Sequence, residues 1–279
     1  MITFPQAKIN LGLNVVSRRQ DGYHDLETVF YAIPLHDTLE IRTMDERFPS
    51  LAACDLKTTG DAVACDETDN LVVRAYNLLA KDYVLPRVHA HLYKQIPSQA
   101  GLGGGSSDAA YMIRLIDERY RLNIGNAEME RYAARLGADC AFFITAEPAY
   151  ATGIGDQLAP VVGLEEKLRG LHLAVVKPDI AVSTRDAYQA ITPRQPQKNC
   201  RDIVRQPIET WRQELTNDFE APVFALHPRL ADIKAALYDH GALYAQMSGS
   251  GSALFGIFKD EPEDMARLFP DCRVYTMQL

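Results

Sequence analysis

The sequence predicts an α+β fold in two parts, with a boundary near residue 150. In the first part, a strand of alternating polarity precedes a glycine-rich segment and an amphipathic helix. In the second part, short strand-like and helix-like segments are mixed too closely for a doubly wound sheet. The predicted domains are therefore residues 1–150, with α/β two-layer character, and residues 151–279, with α+β character.

Length and composition indicate a folded chain that does not cross a membrane. The chain has 279 residues, of which 47% are hydrophobic and 24% charged, so a large core can be buried. No apolar run approaches the roughly 20 residues of a transmembrane helix, and the first residues lack the features of a signal peptide. A net charge of −8 argues against nonspecific nucleic-acid binding, which needs a basic surface. It does not exclude an anionic small-molecule ligand, because backbone N–H groups can hold one.

The cysteines predict reduced thiols rather than disulfides or a metal site. None forms a CxxC pair, and no Cys/His set has the spacing of a zinc site. Thiols of this kind, without a signal peptide, lead us to expect a cytoplasmic protein. The five residues concerned are Cys54, Cys65, Cys140, Cys200 and Cys272.

The first predicted element is a strand over residues 7–15. Its apolar residues fall at every second position, whereas Lys8, Asn10 and Asn14 have the opposite parity. Strict period two predicts one face in a core and one polar face. A second alternating run, from Val88 to Lys94, predicts another strand.

The segment from Pro97 to Asp108 is the strongest local signal. Its four glycines leave the backbone free to take positive φ and let phosphate oxygens approach the N–H groups closely. A helix predicted over residues 109–122 would add an N-terminus that favours anions. By itself the segment also fits a flexible loop before an ordinary N-cap. It matches neither a Walker A loop, because no lysine follows the glycines, nor a dinucleotide fingerprint with its acidic residue about twenty positions on.

The remaining elements follow from caps, breaks and alternation. Asn126 is predicted to cap a helix ending near Leu136, so that Asp139 lies in a short loop after Gly137. In the second part, we predict a helix over residues 230–240 and a loop or short helix over 193–207. Strands are predicted over residues 171–177, 243–247, 253–258 and 273–277.

Three further segments contain residues that could take part in catalysis or ligand binding. Lys8 and Asn10 share a strand face, residues 21–24 form an Asp-Gly-Tyr-His turn, and residues 137–139 read Gly-Ala-Asp. Each has an ordinary explanation: a solvated lysine, a turn with a hydrogen-bonding histidine, and a surface aspartate. None of them is decisive alone.

Taken together and in this order, these segments resemble the GHMP kinase superfamily, which includes galactokinase and the homoserine and mevalonate kinases. Its three signatures resemble residues 7–13, 97–107 and 247–253. Within the superfamily, the Lys-Ile-Asn-Leu, Asp-Gly-Tyr-His, glycine-rich and Gly-Ala-Asp segments together resemble the kinases that phosphorylate a cytidylyl sugar alcohol in the non-mevalonate isoprenoid pathway. The resemblance runs from about residue 5 to residue 258, and the combination is far more specific than any of its parts.

The resemblance implies a two-domain GHMP kinase-like fold, in which residues 1–150 bind the nucleotide, residues 151–279 bind the acceptor, and the active site lies in the interdomain cleft. A left-handed crossover in the first domain is also implied by it alone, since general rules favour right-handed connections. The chain would move the γ-phosphoryl group of ATP onto an alcohol, with ATP as co-substrate and Mg²⁺ as cofactor. We expect a small-molecule substrate, no nucleic-acid or membrane partner, and a monomer or weak homodimer.

Roles for two catalytic residues also come from the resemblance. Asp139 would take the proton of the acceptor hydroxyl. Lys8 would keep that carboxylate ionised and stabilise negative charge developing on the acceptor. Cys140, next to the base, is expected to be a small buried side chain without a catalytic role.

The binding residues implied by the resemblance fall into two groups. Asn70 and Lys94 resemble contacts to adenine, and the rest of the nucleotide would lie on a loop of eleven residues. These are Pro97, Ser98, Gln99, Ala100, Gly101, Leu102, Gly103, Gly104, Gly105, Ser106 and Ser107. The cytidylyl end of the acceptor would be held by Asn10, Tyr23, His24, Thr184 and Tyr188, with Tyr188 as a second ring against the cytosine.

Three other interpretations stay open. A different acceptor, such as homoserine, mevalonate or a sugar, would keep the enzyme class and change only the pocket. A nucleotide-binding regulator would keep the loop but not the chemistry, although the presence of both Lys8 and Asp139 argues against it. A nicotinamide-dependent oxidoreductase is suggested only by the glycines.

Overall fold

A computed structural model describes residues 1–61 and 65–279 of the chain. Within them the strands are β1 (Ile2–Thr3), β2 (Gln6–Arg18), β3 (His24–His36), β4 (Thr38–Thr43), β5 (Cys54–Gly60), β6 (Val88–Lys94), β7 (Ala149–Thr152), β8 (Gln157–Pro160), β9 (His172–Pro178), β10 (Tyr244–Met247), β11 (Leu254–Phe258) and β12 (Cys272–Gln278). The helices are α1 (Leu71–Leu79), α2 (Gly104–Tyr120), α3 (Asn126–Ala134), α4 (Leu164–Leu168), α5 (Thr184–Gln189), α6 (Cys200–Val204), α7 (Ile208–Glu214), α8 (Glu220–Leu226), α9 (Pro228–Asp239) and α10 (Met265–Leu268). Two 3₁₀ helices span Glu67–Asp69 and Ala138–Ile144.

The strands of the described residues form three four-stranded sheets, with the orders β1-β4-β6-β5, β2-β3-β7-β8 and β10-β11-β9-β12. The third sheet is antiparallel throughout. In the first sheet, β5 and β6 are parallel, and α1 lies between them in the sequence. A parallel pair requires a crossover of this kind. The mixture of antiparallel sheets with separate helices confirms the α+β class.

By its internal contacts the chain divides into two compact units. Unit 1 comprises Met1–Ala7, Leu35–Ser98 and Gly103–Glu147, and unit 2 comprises Lys8–Pro34, Gln99–Leu102 and Pro148–Leu279. Unit 1 therefore contains the first sheet with α1, α2 and α3, and unit 2 contains the third sheet with α4 to α10. The assignment of nucleotide binding to residues 1–150 and acceptor binding to 151–279 stays a prediction.

Strand β2 is longer than predicted, and both of its faces are buried. Ile9 and Leu11 are fully buried, as the alternation predicts. Lys8 and Asn10 have the opposite parity, yet they are only 3% and 2% exposed. The second face is polar, as predicted, but it is buried within a hydrogen-bond network, so the alternative of a solvated lysine does not hold for Lys8.

Helix α2 begins at Gly104, five residues before the predicted start at Ala109. Gly103 occupies the N-cap position with φ 72°, so the chain enters the helix from the left-handed region that glycine favours. Low helix propensity made the glycines look like loop residues. Tertiary packing overrides that preference, because α2 packs against α1 and against the 3₁₀ helix Ala138–Ile144.

The region around Asp139 also differs from its prediction. Helix α3 begins at Asn126 itself, with Gly125 as N-cap, and it ends at Ala134. Asp139 is the second residue of the 3₁₀ helix Ala138–Ile144 rather than part of a loop. Five consecutive buried residues, from Cys140 to Ile144, hold this helix in the interior of unit 1.

The strands and the helix that were predicted in the second half lie within one or two residues of their predicted bounds, whereas β8, α4, α5, α7, α8 and α10 were not predicted. β9 to β12 match the four predicted strands, and α9 matches the predicted helix, with Pro228 at its first position. The proline-rich segment includes the short helix α6. Leu237 of α9 packs with Val176 and Leu254 of the third sheet in one buried core.

Two further features concern membrane-spanning segments and cysteines. No described helix has the length and apolar character needed to cross a bilayer. All five cysteines are free thiols, as predicted.

Candidate active site

Residues from all three signature segments meet around the Lys8 ammonium in unit 2. Lys8 Nζ donates to Asn10 Oδ1 at 2.6 Å and to the Gly101 carbonyl at 2.8 Å. Ser248 Oγ donates to the same carbonyl at 2.9 Å and accepts from the Asn10 backbone N–H at 3.3 Å. The first strand, the glycine-rich loop and the turn after β10 are therefore tied together at one point.

Gly101 is the loop position at which a side chain is sterically impossible. Its φ is +75°, and a Cβ there would lie 1.9 Å from the Ser248 carbonyl oxygen. The turn that provides this carbonyl is itself fixed, because Asn217 Nδ2 donates to Met247 O and Gly249 O, both at 2.8 Å. The close approach of two backbones explains the glycine.

In unit 1, the first turn of α2 offers a site for an anion. The N–H groups of Gly104, Gly105 and Ser106 lie in this turn, where an α-helix provides no carbonyl acceptors. The aligned peptide dipoles of the 17-residue helix add partial positive charge at this end. Such an N-terminus suits a phosphate group.

The 3₁₀ helix that contains Asp139 packs against α2 in the same unit. Cys140, the residue after Asp139, is fully buried in this helix. Burial raises the pKa of Cys140 to about 11, so this thiol stays protonated at neutral pH. Cys140 thus fits the expected small buried side chain, and Asp139 lies in a helix that packs against α2.

Lys94 is held by two carboxylates. Its ammonium donates to Asp108 Oδ2 at 2.7 Å and to Asp37, and all three side chains are buried. Asp37 Oδ1 also accepts the backbone N–H groups of Gln95 at 2.6 Å and Ile96 at 2.9 Å. The ammonium of Lys94 is thus committed inside unit 1, so the predicted adenine contact would fall to other atoms of this residue.

The charges of this buried cluster affect one another. Burial lowers the pKa of Lys94, but the neighbouring Asp108 and Asp37 more than offset this, and the net direction is upward. Burial raises the pKa of Asp108; Lys94 opposes that effect, and Asp37 adds to it. Oδ1 of Asp108 has no hydrogen-bond partner among the described residues. The cluster joins the ends of β3 and β6 to the first turn of α2.

Asn70, the other predicted adenine contact, has a structural role as well. Its Oδ1 accepts the Val72 backbone N–H at 2.9 Å and caps α1. Such a cap is typically worth about 1 kcal/mol. A contact from this side chain to adenine stays a prediction and would have to use Nδ2.

The residues predicted to hold a cytosine are close together in unit 2, but not as an open sandwich. The rings of His24 and Tyr188 stack on each other, with centroids 5.1 Å apart and an interplanar angle of 19°. Tyr188 also packs edge-on against Phe219 at 4.8 Å. A base cannot lie between two rings that already stack. Binding in the predicted way therefore requires one ring to move.

Tyr23 and Thr184 are the remaining predicted acceptor contacts. Tyr23 is 63% exposed at the turn between β2 and β3. Thr184 begins α5, and its hydroxyl lies 3.0 Å from the Ser250 hydroxyl in the third signature segment. Both side chains are accessible to a ligand, and their roles stay predictions.

The sequence analysis did not identify Thr28 and Asp37, which orient the predicted site residues Asn10 and Lys94. Their partners are distant along the chain: Thr28 contacts Asn10 across 18 positions, and Asp37 contacts Lys94 across 57. A single sequence contains no signal for such pairs. Only Asp108, directly after the glycine-rich segment, stood in a predicted motif.

Among the described residues, no group of three or more His, Cys, Asp or Glu side chains is arranged to hold a metal ion. A divalent cation at this site would therefore need additional ligands from a bound nucleotide, as is usual for Mg²⁺.

Comparison with known proteins places this geometry in a family. The family models described as GHMP kinases N terminal domain and GHMP kinases C terminal match residues 70–147 and 201–268. The 4-diphosphocytidyl-2-C-methyl-D-erythritol kinase of Bacteroides fragilis is 49% identical over 261 residues, which is 94% of this chain and 93% of the relative. The kinase of the same name from Parabacteroides distasonis is 47% identical, with both chains covered completely.

A solved structure extends the similarity to the fold. The crystal structure of a 4-(cytidine 5'-diphospho)-2C-methyl-D-erythritol kinase matches with a TM-score of 0.80 and 32% identity, over 99% of this chain and 98% of that one. The chain therefore has the GHMP kinase fold and belongs to the family of 4-diphosphocytidyl-2-C-methyl-D-erythritol kinases.

Proposed function

We propose that this chain transfers the γ-phosphoryl group of ATP to the 2-hydroxyl of 4-diphosphocytidyl-2-C-methyl-D-erythritol, in the non-mevalonate route to isoprenoid precursors. The proposal rests on one observation above all: Lys8, the glycine-rich loop and the third signature segment converge through direct hydrogen bonds. Relatives that carry this kinase name, at 49% and 47% identity over nearly the whole chain, support the choice of acceptor.

The nucleotide is bound by the loop of residues 97–107. The first-turn N–H groups of α2 hold phosphate oxygens, and positive φ at Gly101 and Gly103 lets the backbone approach them. Ser107 Oγ is buried in this turn without a hydrogen-bond partner among the described residues, so it is an oxygen available to a cation or a phosphate. Ser107 would help to hold Mg²⁺, which would supply charge neutralisation for phosphoryl transfer.

Acceptor chemistry is assigned to Asp139 and Lys8. A hydroxyl is a poor nucleophile, and phosphoryl transfer needs alignment, charge neutralisation and a destination for the proton. Asp139 accepts the proton. Lys8 favours the ionised carboxylate and stabilises negative charge on the acceptor oxygen. The loose transition state tolerates a weak base, because the proton need not leave early.

The cytidylyl end is assigned to Tyr23, His24, Thr184 and Tyr188. The stacked His24–Tyr188 pair lies in unit 2 with Thr184 on the helix that also bears Tyr188. Stacking of a base on such a ring contributes about 1–3 kcal/mol. The protein itself is proposed to be a cytoplasmic monomer or weak homodimer, which sedimentation of the purified chain would test.

A panel of acceptors tests the substrate. Purified protein is incubated with ATP, Mg²⁺ and either the cytidylyl alcohol, mevalonate, homoserine or a hexose, and the products are followed by phosphorus NMR. We expect a new phosphomonoester signal with the cytidylyl alcohol and little turnover of the others. Faster turnover of mevalonate or homoserine would overturn the choice of acceptor and leave the enzyme class intact.

The variant Asp139→Asn separates a kinase from a nucleotide-binding regulator. General-base catalysis is worth about 10²–10⁴-fold, so kcat should fall by at least about 100-fold. ATP affinity, measured by calorimetry, should change by less than about twofold because the phosphate-binding turn is intact. Asp45→Asn, which alters an exposed carboxylate paired with Arg47, is the matched control and should keep full activity. Wild-type protein that binds ATP but phosphorylates no acceptor would support the regulator.

A further inference from the structure

Thr28 of β3 is completely buried, and the proposed reaction assigns no role to its hydroxyl group. Its Oγ1 lies 2.5 Å from the Gly12 carbonyl and 3.0 Å from Asn10 Nδ2. Asn10 Oδ1 in turn accepts from Lys8 Nζ at 2.6 Å. A continuous path of hydrogen bonds therefore leads from a backbone carbonyl of β2 to the Lys8 ammonium.

The chemistry of these groups leaves one consistent arrangement of protons. A carbonyl oxygen only accepts, so the single proton of the Thr28 hydroxyl goes to Gly12 O. The hydroxyl then offers only a lone pair to Asn10, which must present its NH₂ group there. The other end of the amide, Oδ1, consequently faces Lys8, whose ammonium only donates.

We propose that Thr28 is a positioning residue that sets the orientation of the Asn10 amide and, through it, the position of the Lys8 ammonium. The inference rests on the proposed function, in which Lys8 acts at the acceptor hydroxyl. It changes the role of Asn10, predicted to be a substrate contact. With Oδ1 on Lys8 and Nδ2 on Thr28, Asn10 holds the catalytic cation in place rather than reaching for the acceptor.

Without the Thr28 hydroxyl, the Asn10 NH₂ group loses its acceptor, and only the donors at Oδ1, chiefly the Lys8 ammonium, still distinguish the two ends of the amide. An amide that is held at one end only can shift or turn more easily, because its O and NH₂ groups have nearly the same size. A turned amide would direct its NH₂ group at the ammonium, where two donors oppose each other. Lys8 would keep the Gly101 carbonyl, 2.8 Å away, and lose its fixed position.

The test compares Thr28→Val with Thr28→Ser. Valine keeps the shape and removes the hydroxyl, whereas serine keeps the hydroxyl. Tyr238→Phe is the matched control, because it removes a hydroxyl that donates to the Ala245 carbonyl at 3.2 Å in the same unit. We expect kcat of Thr28→Val to fall about tenfold or more, which corresponds to about 1.4 kcal/mol in the barrier. KM for ATP should stay within about twofold, and Thr28→Ser and Tyr238→Phe should keep at least about half of the wild-type kcat.

A second measurement does not depend on turnover. In ¹⁵N-labelled protein, the Asn10 side-chain amide signals and the Lys8 Nζ signal should shift in Thr28→Val and keep their wild-type positions in Thr28→Ser and Tyr238→Phe. If the wild type phosphorylates none of the acceptors, the proposed function fails, and these spectra still decide the positioning of Lys8. Unchanged Asn10 and Lys8 signals in Thr28→Val, or equal losses of kcat in Thr28→Val and Thr28→Ser, would overturn the proposal.

Discussion

Replacing Lys94 by methionine should strongly destabilise unit 1, because it removes the cation from between two buried carboxylates. Asp37 is completely buried, and Asp108 and Lys94 are only 2% and 5% exposed. Methionine fills a similar volume, so the main change is electrostatic. Removing one partner of a buried ion pair typically costs about 3–5 kcal/mol, because the remaining charge is left uncompensated. A whole domain is stable by only about 5–15 kcal/mol, so this loss should be large on that scale.

The cost in Lys94→Met should depend on pH in a defined direction. Asp37 keeps two backbone N–H donors, whereas Asp108 Oδ1 has no partner among the described residues. Asp108 is therefore the group that takes up a proton when the ammonium is removed. Its pKa, already raised by burial, rises further in the variant. Because the pKa of Asp108 is already about 8 in the wild type, the extra destabilisation of the variant should grow as the pH rises above about 8 and stay nearly constant between pH 5 and 7.

Urea unfolding followed by far-UV circular dichroism measures this loss. The matched control is Lys198→Met, whose ammonium bridges Glu214 at 2.8 Å on the surface of unit 2. Exposed pairs contribute about 0–1 kcal/mol, so that variant should stay close to the wild type. If Lys94→Met loses no more stability than Lys198→Met, or if its loss does not grow between pH 7 and pH 9, the account of the buried cluster is wrong.

Three further predictions concern single positions. The free energy of unfolding of Asp108→Asn, relative to the wild type, should increase by roughly 1.4 kcal/mol or more as the pH rises from about 4 to 8. The reason is that the raised pKa of Asp108 makes the wild type lose stability over that range. A difference between the urea midpoints of the two proteins that does not change with pH would contradict this. Gly101→Ala should abolish ATP binding in calorimetry, since its Cβ would meet Ser248 O at 1.9 Å. Gly170→Ala, which has φ +84° but no atom within 4 Å of the added Cβ, should cost only about 1–2 kcal/mol and bind ATP normally. Tyr188→Ala should raise KM for the cytidylyl alcohol by about 5–150-fold, because stacking on the cytosine is lost. Tyr188→Phe keeps the ring and should have a KM near that of the wild type. The KM for ATP should be the same in the wild type and in both variants.

In the second half, the sequence predicted four strands and one long helix because local signals are strong there, but it did not predict β8 or the short helices α4, α5, α7, α8 and α10. β6 was predicted with its observed bounds, and β9 to β12 with α9 to within one or two residues, from alternation and from breaks at proline and glycine. Errors occurred where packing overrides local preference. The start of α2 is the clearest case, since glycines at 104 and 105 are helical only in contact with the rest of unit 1.

By itself, the sequence determined the family, the order of the signatures and the residue types that phosphoryl transfer needs. Those are properties of short segments, and composition and spacing record them. Tertiary structure alone decided which groups are committed to partners: Lys94 to two carboxylates, Asn10 to Lys8 and Thr28, and the ring of Tyr188 to His24. The physical reason is that a buried polar group must find its partner, and that partner comes from whichever distant strand or helix the fold brings within about 3 Å.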